Sequence, residues 1–427
     1  MYMKKFTLLT LVLGWMISAQ AYNTVNVSDF TDGQTYTLQD GDILTGSTTK
    51  KVKIMIAKNA TVTLDNASVD PGIIITDYSN AGLSPLGTCY IYLKGKNTFS
   101  SVGNNEPGIF LPSGSTVHIY EKTSGASLIA KGTIYGAGIG GARDDGNHEV
   151  GNLRIHSGTI KAYGGDYAAG IGSAQLSKCG DIIVDGGTVI AKGGEYAAGI
   201  GSGYKGKCGS ITINGGTVTA TGGTNAAAIG GGYQPMGVGS CGSITIGSGV
   251  TKVEATKGSG APYSIGKGKE GTSIGTITIG GKTIANGTPE AHFIYPIPTP
   301  TDITVTDPSA STAVVSWTAA SDVLQYEVRY MKAVDGEGYY TETTTGTSII
   351  LSELKSNTAY DVWVVAYGSG NLYSVESQKV RFTTLAGQGL DQITNDQLPI
   401  TNKIIRNGQI FIIRGDKTFN ALGVEIQ

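Results

Sequence analysis

A short motif recurs through the middle of the chain and restricts its folding more than any other feature. Tyr135-Gly-Ala-Gly-Ile139-Gly, Tyr167-Ala-Ala-Gly-Ile171-Gly, Tyr196-Ala-Ala-Gly-Ile200-Gly, Asn225-Ala-Ala-Ala-Ile229-Gly and Pro262-Tyr-Ser-Ile265-Gly place isoleucines at intervals of 32, 29, 29 and 36 residues. Interleaved with them are Leu153-Arg-Ile155, Ile182-Ile-Val184, Ile211-Thr-Ile213, Ile244-Thr-Ile246 and Ile277-Thr-Ile279, several followed by Gly-Thr-Ile160, Gly-Thr-Val189 and Gly-Thr-Val218. The second series alternates apolar and mostly polar residues, the period of a strand with one buried face. A unit of about 29 residues made of short strands cannot bury its own apolar side, so consecutive units must stack. Stacking as coils about 4.8 Å apart gives a parallel β-helix with interior ladders of equivalent apolar residues. The insertion from Tyr233 to Gly239 is expected to bulge outward as a loop.

The cysteines fit the same stack. Cys179, Cys208 and Cys241 precede a Gly and then the alternating strand, and Val150 and Ile274 hold the equivalent positions in flanking repeats. This column reads as an interior ladder of small hydrophobes, with a disulfide between stacked neighbours as the alternative. Cys89, before Tyr-Ile-Tyr-Leu, is expected at the same site of an earlier coil. Toward the N-terminus, Thr61–Leu64, Gly72–Ile75, Cys89–Leu93, Gly108–Leu111 and Ser115–Tyr120 read as further strands, with residues 24–60 as an atypical cap.

At the N-terminus, Lys4 and Lys5 precede the apolar run Phe6–Ile17 and the small residues of Ala19-Gln-Ala21. This is the pattern of a signal peptide, so residues 1–21 are expected to be removed and the chain exported to the cell surface or medium. No later stretch has the length and apolarity of a membrane span. Charged residues make up 15% of the chain, against ~25% in ordinary globular domains, and the net charge of −2 offers no attraction to nucleic acid.

After Pro296, Pro298 and Pro300 the composition changes. Ala313-Val-Val-Ser-Trp317, Tyr326-Glu-Val-Arg-Tyr330, Leu354, Tyr360 and Val362–Tyr367 resemble a fibronectin type III domain, which implies a β-sandwich with Trp317 in its core and Leu354 and Tyr360 at its tyrosine corner. The tail carries Lys403–Ile413 and Thr418–Val424 around the turn dipeptides Asn407-Gly408 and Gly415-Asp416, and is expected to form a small β-hairpin segment. It resembles the short β ends of secreted Bacteroidetes proteins that act as sorting signals. The expected organisation is a signal peptide (1–21), a parallel β-helix (22–295), a fibronectin type III domain (296–386) and a β tail (387–427), an all-β chain throughout.

Candidate chemistry is sparse. Gly136-Ala-Gly138-Ile-Gly140 lacks the strand–loop–helix setting of a nucleotide loop and reads as corners. Arg143, Asp144, Asp145 and His148 form one polar cluster, in a single loop, and Arg414-Gly415-Asp416 is an adhesion-type tripeptide that also suits an ordinary turn. Asp166 and Glu195 hold equivalent repeat positions, so they stack on adjacent coils as candidate Ca²⁺ ligands or glycosidase acids. No other cofactor is indicated. Tyr135, Tyr167 and Tyr196 form a column suited either to stacking against sugar rings or to plain packing.

The Ala-Gly-Ile-Gly corners, Cys-Gly-Ser-Ile-Thr-Ile strands and Gly-Gly-Thr-Val segments are similar to Gly-rich, right-handed parallel β-helix proteins secreted by gut Bacteroidetes and Firmicutes. Some of these are described as carbohydrate-binding relatives of polysaccharide lyases without the catalytic groups. The resemblance implies a non-catalytic surface protein that binds a polysaccharide or host-cell glycan, or mediates adhesion. The alternatives are a lyase or glycoside hydrolase and a purely structural surface protein.

Overall fold

The computed structural model describes residues 22–70, 83–85, 87–143, 149–235, 240–271, 273–334, 338–368, 372–387, 402–406, 409–414, 416–420 and 425–426. The signal-peptide reading of 1–21, the strand at Gly72–Ile75 and Asp144, Asp145 and His148 lie outside them. The chain divides into two compact units, one of Met1–Pro298 with Ser321–Leu324 and Ala366–Val375, the other of Thr299–Ala320, Gln325–Val365 and Glu376–Gln427.

The first unit is a β-solenoid whose coils feed three ladders. In the first, Leu153, Ile182, Ile211, Ile244 and Ile277 pair in parallel register from coil to coil. In the second, Ile160, Val189, Val218 and Val253 do the same. The third runs through Ile109, Ile139, Ile171, Ile200, Ile229 and Ile265. All of these side chains are buried. Each contributes roughly 1.5–3 kcal/mol of apolar burial, which is what a solitary 29-residue unit forgoes. The sequence-aligned isoleucines and alternating strands are therefore the interior of the stack.

The glycine after Ile139, Ile171, Ile200 and Ile229 is required there, whereas Ile109 is followed by Phe110. Gly140, Gly172, Gly201 and Gly230 have φ between 124° and 141°, and a Cβ on any of them would collide with the carbonyl of the equivalent glycine one coil on. Only a residue without a side chain satisfies both the dihedral and the approach.

Two expectations, for Cys89 and for the Tyr233 insertion, need correction, and a third gains detail. Residues 24–60 are the atypical end of the stack: Thr24 pairs in parallel with Ile43 and Ile43 with Thr63, so they form coils of 19 and 20 residues that join it directly. The strand Thr61–Val69 then bridges to the longer coils, pairing with both Thr88–Lys94 and Lys96–Ser100 and joining the first and second ladders into one 18-stranded sheet. Cys89 pairs with Val117, which pairs with Leu153, so it lies in the Leu153–Ile182 column and not with the other cysteines. The Gly-x spacer that separates Cys179, Cys208 and Cys241 from their strands is missing after Cys89. The start of the Tyr233 insertion folds inward: Gln234 is buried, and its amide donates to the Gly206 carbonyl at 2.9 Å. Residues 236–239 of that insertion lie outside the described set.

The cysteine column is present as aligned. Cys179 donates its backbone N–H to the Lys207 carbonyl, Cys208 pairs with Cys241, and Cys241 pairs with Ile274. Cys208 and Cys241 form a disulfide, while Cys89 and Cys179 are buried thiols outside that bond. At its C-terminal end the stack is closed by strands that run backwards: Val253 pairs with Tyr295, Ile265 with Thr288 and Thr278 with Thr283, all antiparallel.

The second unit holds a β-sandwich. One sheet comprises Thr301–Thr306, Ala313–Thr318 and Ser348–Leu351; the other comprises Tyr340–Thr344, Gln325–Lys332, Ala359–Tyr367 and Val380–Thr383. Trp317 is buried and meets Tyr326 edge-on at 5.2 Å. The Tyr360 hydroxyl accepts the Lys355 N–H at 2.9 Å, and Leu354 is buried beside it, as the tyrosine corner requires. A second core tryptophan, Trp363, escaped the sequence reading. The tail, expected as a hairpin, is a four-stranded antiparallel sheet of Asn402–Arg406, Gln409–Arg414, Lys417–Asn420 and Glu425–Ile426. Asn407, Gly408 and Gly415 lie outside the described residues, and Asp416 is exposed between two of these strands.

Candidate functional site

The coil register brings the aligned tyrosines together at the corner between the second and third ladders. Tyr167 stacks on Tyr135 at 5.0 Å and on Tyr196 at 5.2 Å, with interplanar angles of 28° and 27°. Tyr204 meets Tyr167 and Tyr196 edge-on, and Tyr233 continues the group beyond them. The Arg143 guanidinium lies 4.9 Å over the Tyr135 ring and closes the near end. Each of the three stacked rings is thus half-buried with its faces spent on neighbours. The stacking packs the column as a ladder running from coil to coil. The Tyr196 hydroxyl bonds to Glu195, which holds the phenol above its ordinary pKa. The Tyr233 hydroxyl reaches a Glu270 oxygen at 3.4 Å.

Asp166 and Glu195 are both exposed and line one open depression of about 610 Å³ at the same corner. Lys192, Thr224 and Ser259 share its wall, and Gly194, Gly223 and Gly258 its floor. The floor is glycine for a packing reason: a Cβ on Gly194 would strike the Gly165 carbonyl, one on Gly223 the Gly194 carbonyl, and one on Gly258 the Gly223 carbonyl. Among the described residues, no group of three His, Cys, Asp or Glu side chains is arranged to hold a metal ion. Asp166 and Glu195 would therefore supply part of a Ca²⁺ shell, with oxygens from water or ligand completing it.

A second polar patch, absent from the sequence reading, lies on the outward side of the first ladder. Tyr90, His118 and Arg154 occupy one row in register; Tyr92 and Tyr120 begin the next, two residues along each strand, and His156 follows them. Tyr120 lies flat against His156 at 4.1 Å and 3°, and Tyr92 against Tyr120 at 5.1 Å. His118 Nδ1 and His156 Nε2 are 3.0 Å apart. His156 Nδ1 lies 3.3 Å from Asp185, which also accepts from Arg154 Nε at 2.6 Å and from Asn214 at 2.9 Å. Burial lowers the pKa of both imidazoles. Burial pushes the Asp185 carboxyl upward, but its Arg154 and Asn214 hydrogen bonds outweigh that and hold it below the usual range. His118 and His156 are 38 residues apart, so local spacing does not connect them. Aligning Tyr90-Ile-Tyr92, His118-Ile-Tyr120, Arg154-Ile-His156 and Ile183-Val-Asp185 as successive coils would have done so.

Two family models match the chain: a fibronectin type III domain over residues 298–383, and a β-helix repeat over 153–175, 182–204 and 211–233. No curated protein matches. Among solved structures, a myokine structure is 30% identical over 20% of this chain and 96% of its own, with a TM-score of 0.19. The chicken CNTN1 FN1–FN3 domains are 32% identical over 21% of this chain and 31% of their own, with a TM-score of 0.20. An FN3 domain of human collagen XX is 25% identical over 21% and 93%, with a TM-score of 0.19. The chain therefore joins β-helix repeats to a fibronectin type III domain. Among the described residues, no helix is long and apolar enough to cross a membrane.

Proposed function

We propose that this is a non-catalytic, secreted or cell-surface protein that binds glycan at the Asp166–Glu195 corner of its solenoid, with the fibronectin type III domain as a spacer. The observation that carries this reading is the open depression in which Asp166, Glu195 and Lys192 converge over a glycine floor. Neighbouring sugar hydroxyls are matched by carboxylates as acceptors and an ammonium as donor, and a floor without side chains lets a pyranose approach the backbone. Tyr167 and Tyr196, which directly follow Asp166 and Glu195 in the chain, and Tyr135 stacked on them are further candidate contacts along the same corner. Ca²⁺ bridging Asp166 and Glu195 to a sugar is part of the same proposal. Export through residues 1–21 suits a glycan partner outside the cell.

The convergence of two acids and a lysine from adjacent coils also favours a second reading, a polysaccharide lyase or glycoside hydrolase. Purified protein incubated on a polysaccharide array, with Ca²⁺ and with chelator, tests both while the supernatant is assayed for released sugar. Retention without product, lost in Asp166→Asn/Glu195→Gln, supports binding; product release transfers the site to catalysis. Absence of both in the wild type leaves the solenoid a structural element.

A further inference from the structure

We propose that His118 and His156 chelate a divalent transition ion, Zn²⁺, Cu²⁺ or Ni²⁺, on the outward face of the first ladder. The site lies on the first ladder, away from the Asp166–Glu195 corner between the second and third, and does not depend on its reading.

The geometry rests on the nitrogen pair. Two ligands about 2.0–2.1 Å from one ion, subtending between a right and a tetrahedral angle, stand roughly 2.9–3.4 Å apart. His118 Nδ1 and His156 Nε2 are 3.0 Å apart, inside that bite. The same separation serves a hydrogen bond when no ion is present, so the pair is held together in either state. The partner of the other His156 nitrogen is what turns proximity into a ligand set. Asp185 lies 3.3 Å from His156 Nδ1, so an Nδ1–H donating to that carboxylate leaves the lone pair on Nε2, the atom facing His118. A carboxylate behind a histidine is the usual outer partner of a metal-bound imidazole, fixing its tautomer and raising its basicity. Arg154 Nε, at 2.6 Å, and Asn214, at 2.9 Å, in turn fix Asp185.

Packing holds the rings in place. Tyr120 lies flat on His156 at 4.1 Å, and Tyr90 on His118 at 5.0 Å, so each imidazole is braced from one side by an aromatic neighbour on an adjacent coil. Two imidazoles without carboxylate or thiolate ligands select the borderline ions over Ca²⁺ or Mg²⁺. The described residues supply no third His, Cys, Asp or Glu ligand. The remaining coordination positions then belong to water, and the ion is exchangeable.

The test uses the full chain without a polyhistidine tag, titrated with Cu²⁺ by calorimetry and examined by electron paramagnetic resonance. One Cu²⁺ bound with two coupled imidazole nitrogens is expected. His118→Asn and His156→Asn should each weaken binding at least tenfold, while His292→Asn leaves it unchanged. Asp185→Asn keeps both ligands but loses the orienting carboxylate, and should weaken binding about 10- to 100-fold. Cu²⁺ affinity unchanged in both histidine variants overturns the proposal. So does a wild-type spectrum with fewer than two coupled nitrogens, which requires no substitution and cannot be confused with misfolding.

Discussion

Cys208 and Cys241 are bonded to each other across neighbouring coils, with their Cα atoms 4.5 Å apart, in a column that continues to the free thiol of Cys179. The crosslink closes a loop of 33 residues. In the chain-entropy account such a loop constrains the unfolded chain by about 3–4 kcal/mol. Cys208→Val/Cys241→Val keeps the column apolar and removes only the bond, so it should lower the denaturation midpoint of the solenoid without changing its native circular dichroism.

The two remaining thiols are sealed. Burial pushes the Cys179 thiol up to about 12, so almost no thiolate exists at neutral pH. Ellman titration should therefore find no reactive thiol in the native protein, two after denaturation and four after denaturation with reductant. A native thiol that reacts within minutes would contradict this burial.

The glycine floor predicts a contrast between two alanine variants. Gly194→Ala drives a Cβ into the Gly165 carbonyl of the previous coil and should cost about 3 kcal/mol or more. Gly33→Ala meets nothing within 4 Å, and its φ of 78° costs only the left-handed penalty of roughly 1–2 kcal/mol. Thermal melts that rank the two the other way would show that the coils do not approach as closely as described.

In the fibronectin type III domain, Tyr360→Phe removes the acceptor of the Lys355 N–H and should destabilise the sandwich by about 1–3 kcal/mol. Beyond Trp15, the tryptophans of the chain are Trp317 and Trp363, both in this domain. Fluorescence should therefore report its earlier unfolding, while far-ultraviolet circular dichroism retains a transition at the wild-type solenoid midpoint.

Asp361 and Arg381 pair directly across two strands of the same sandwich and share two hydrogen bonds at 2.8 and 2.9 Å. The guanidinium holds the Asp361 carboxyl below its ordinary value of 3.8. A carboxylate depressed in the folded state contributes stability above its unfolded pKa and loses it as pH falls through the folded value. Tryptophan-monitored stability should therefore drop as pH goes below about 4. Asp361→Asn should flatten that drop, and high salt should weaken the effect, since the arginine is largely exposed.

What was legible in the sequence was whatever repeated at a constant period. Ile139, Ile171, Ile200 and Ile229 align because each coil between them has nearly the same length, and the buried ladder follows from that alone. The same logic weakened where the period changed. The 19- and 20-residue coils before Thr63 do not register against a 29-residue template, so they read as an atypical cap without separate coils. Cys89 was misplaced because matching by residue type ignored the missing Gly-x spacer. The tyrosine column was visible, yet whether its rings offered faces or edges depended on stacking geometry that spacing does not encode. The His118–His156–Asp185 group was hidden because it draws different residue types from three successive coils, and a search for self-similarity discards such positions.

The antiparallel closure at Tyr295, Thr288 and Thr283 carries a consequence for how such a chain changes length over evolutionary time. The reversed strands occupy the edges of Val253, Ile265 and Thr278 on which a further coil would pair, so a terminal duplication does not extend the stack directly from there. Growth is confined to the interior, where Ile171, Ile200 and Ile229 mark interchangeable units. Gain or loss of one unit there would move the terminal plug by a single step and lengthen or shorten the depression that Asp166, Glu195 and Thr224 line.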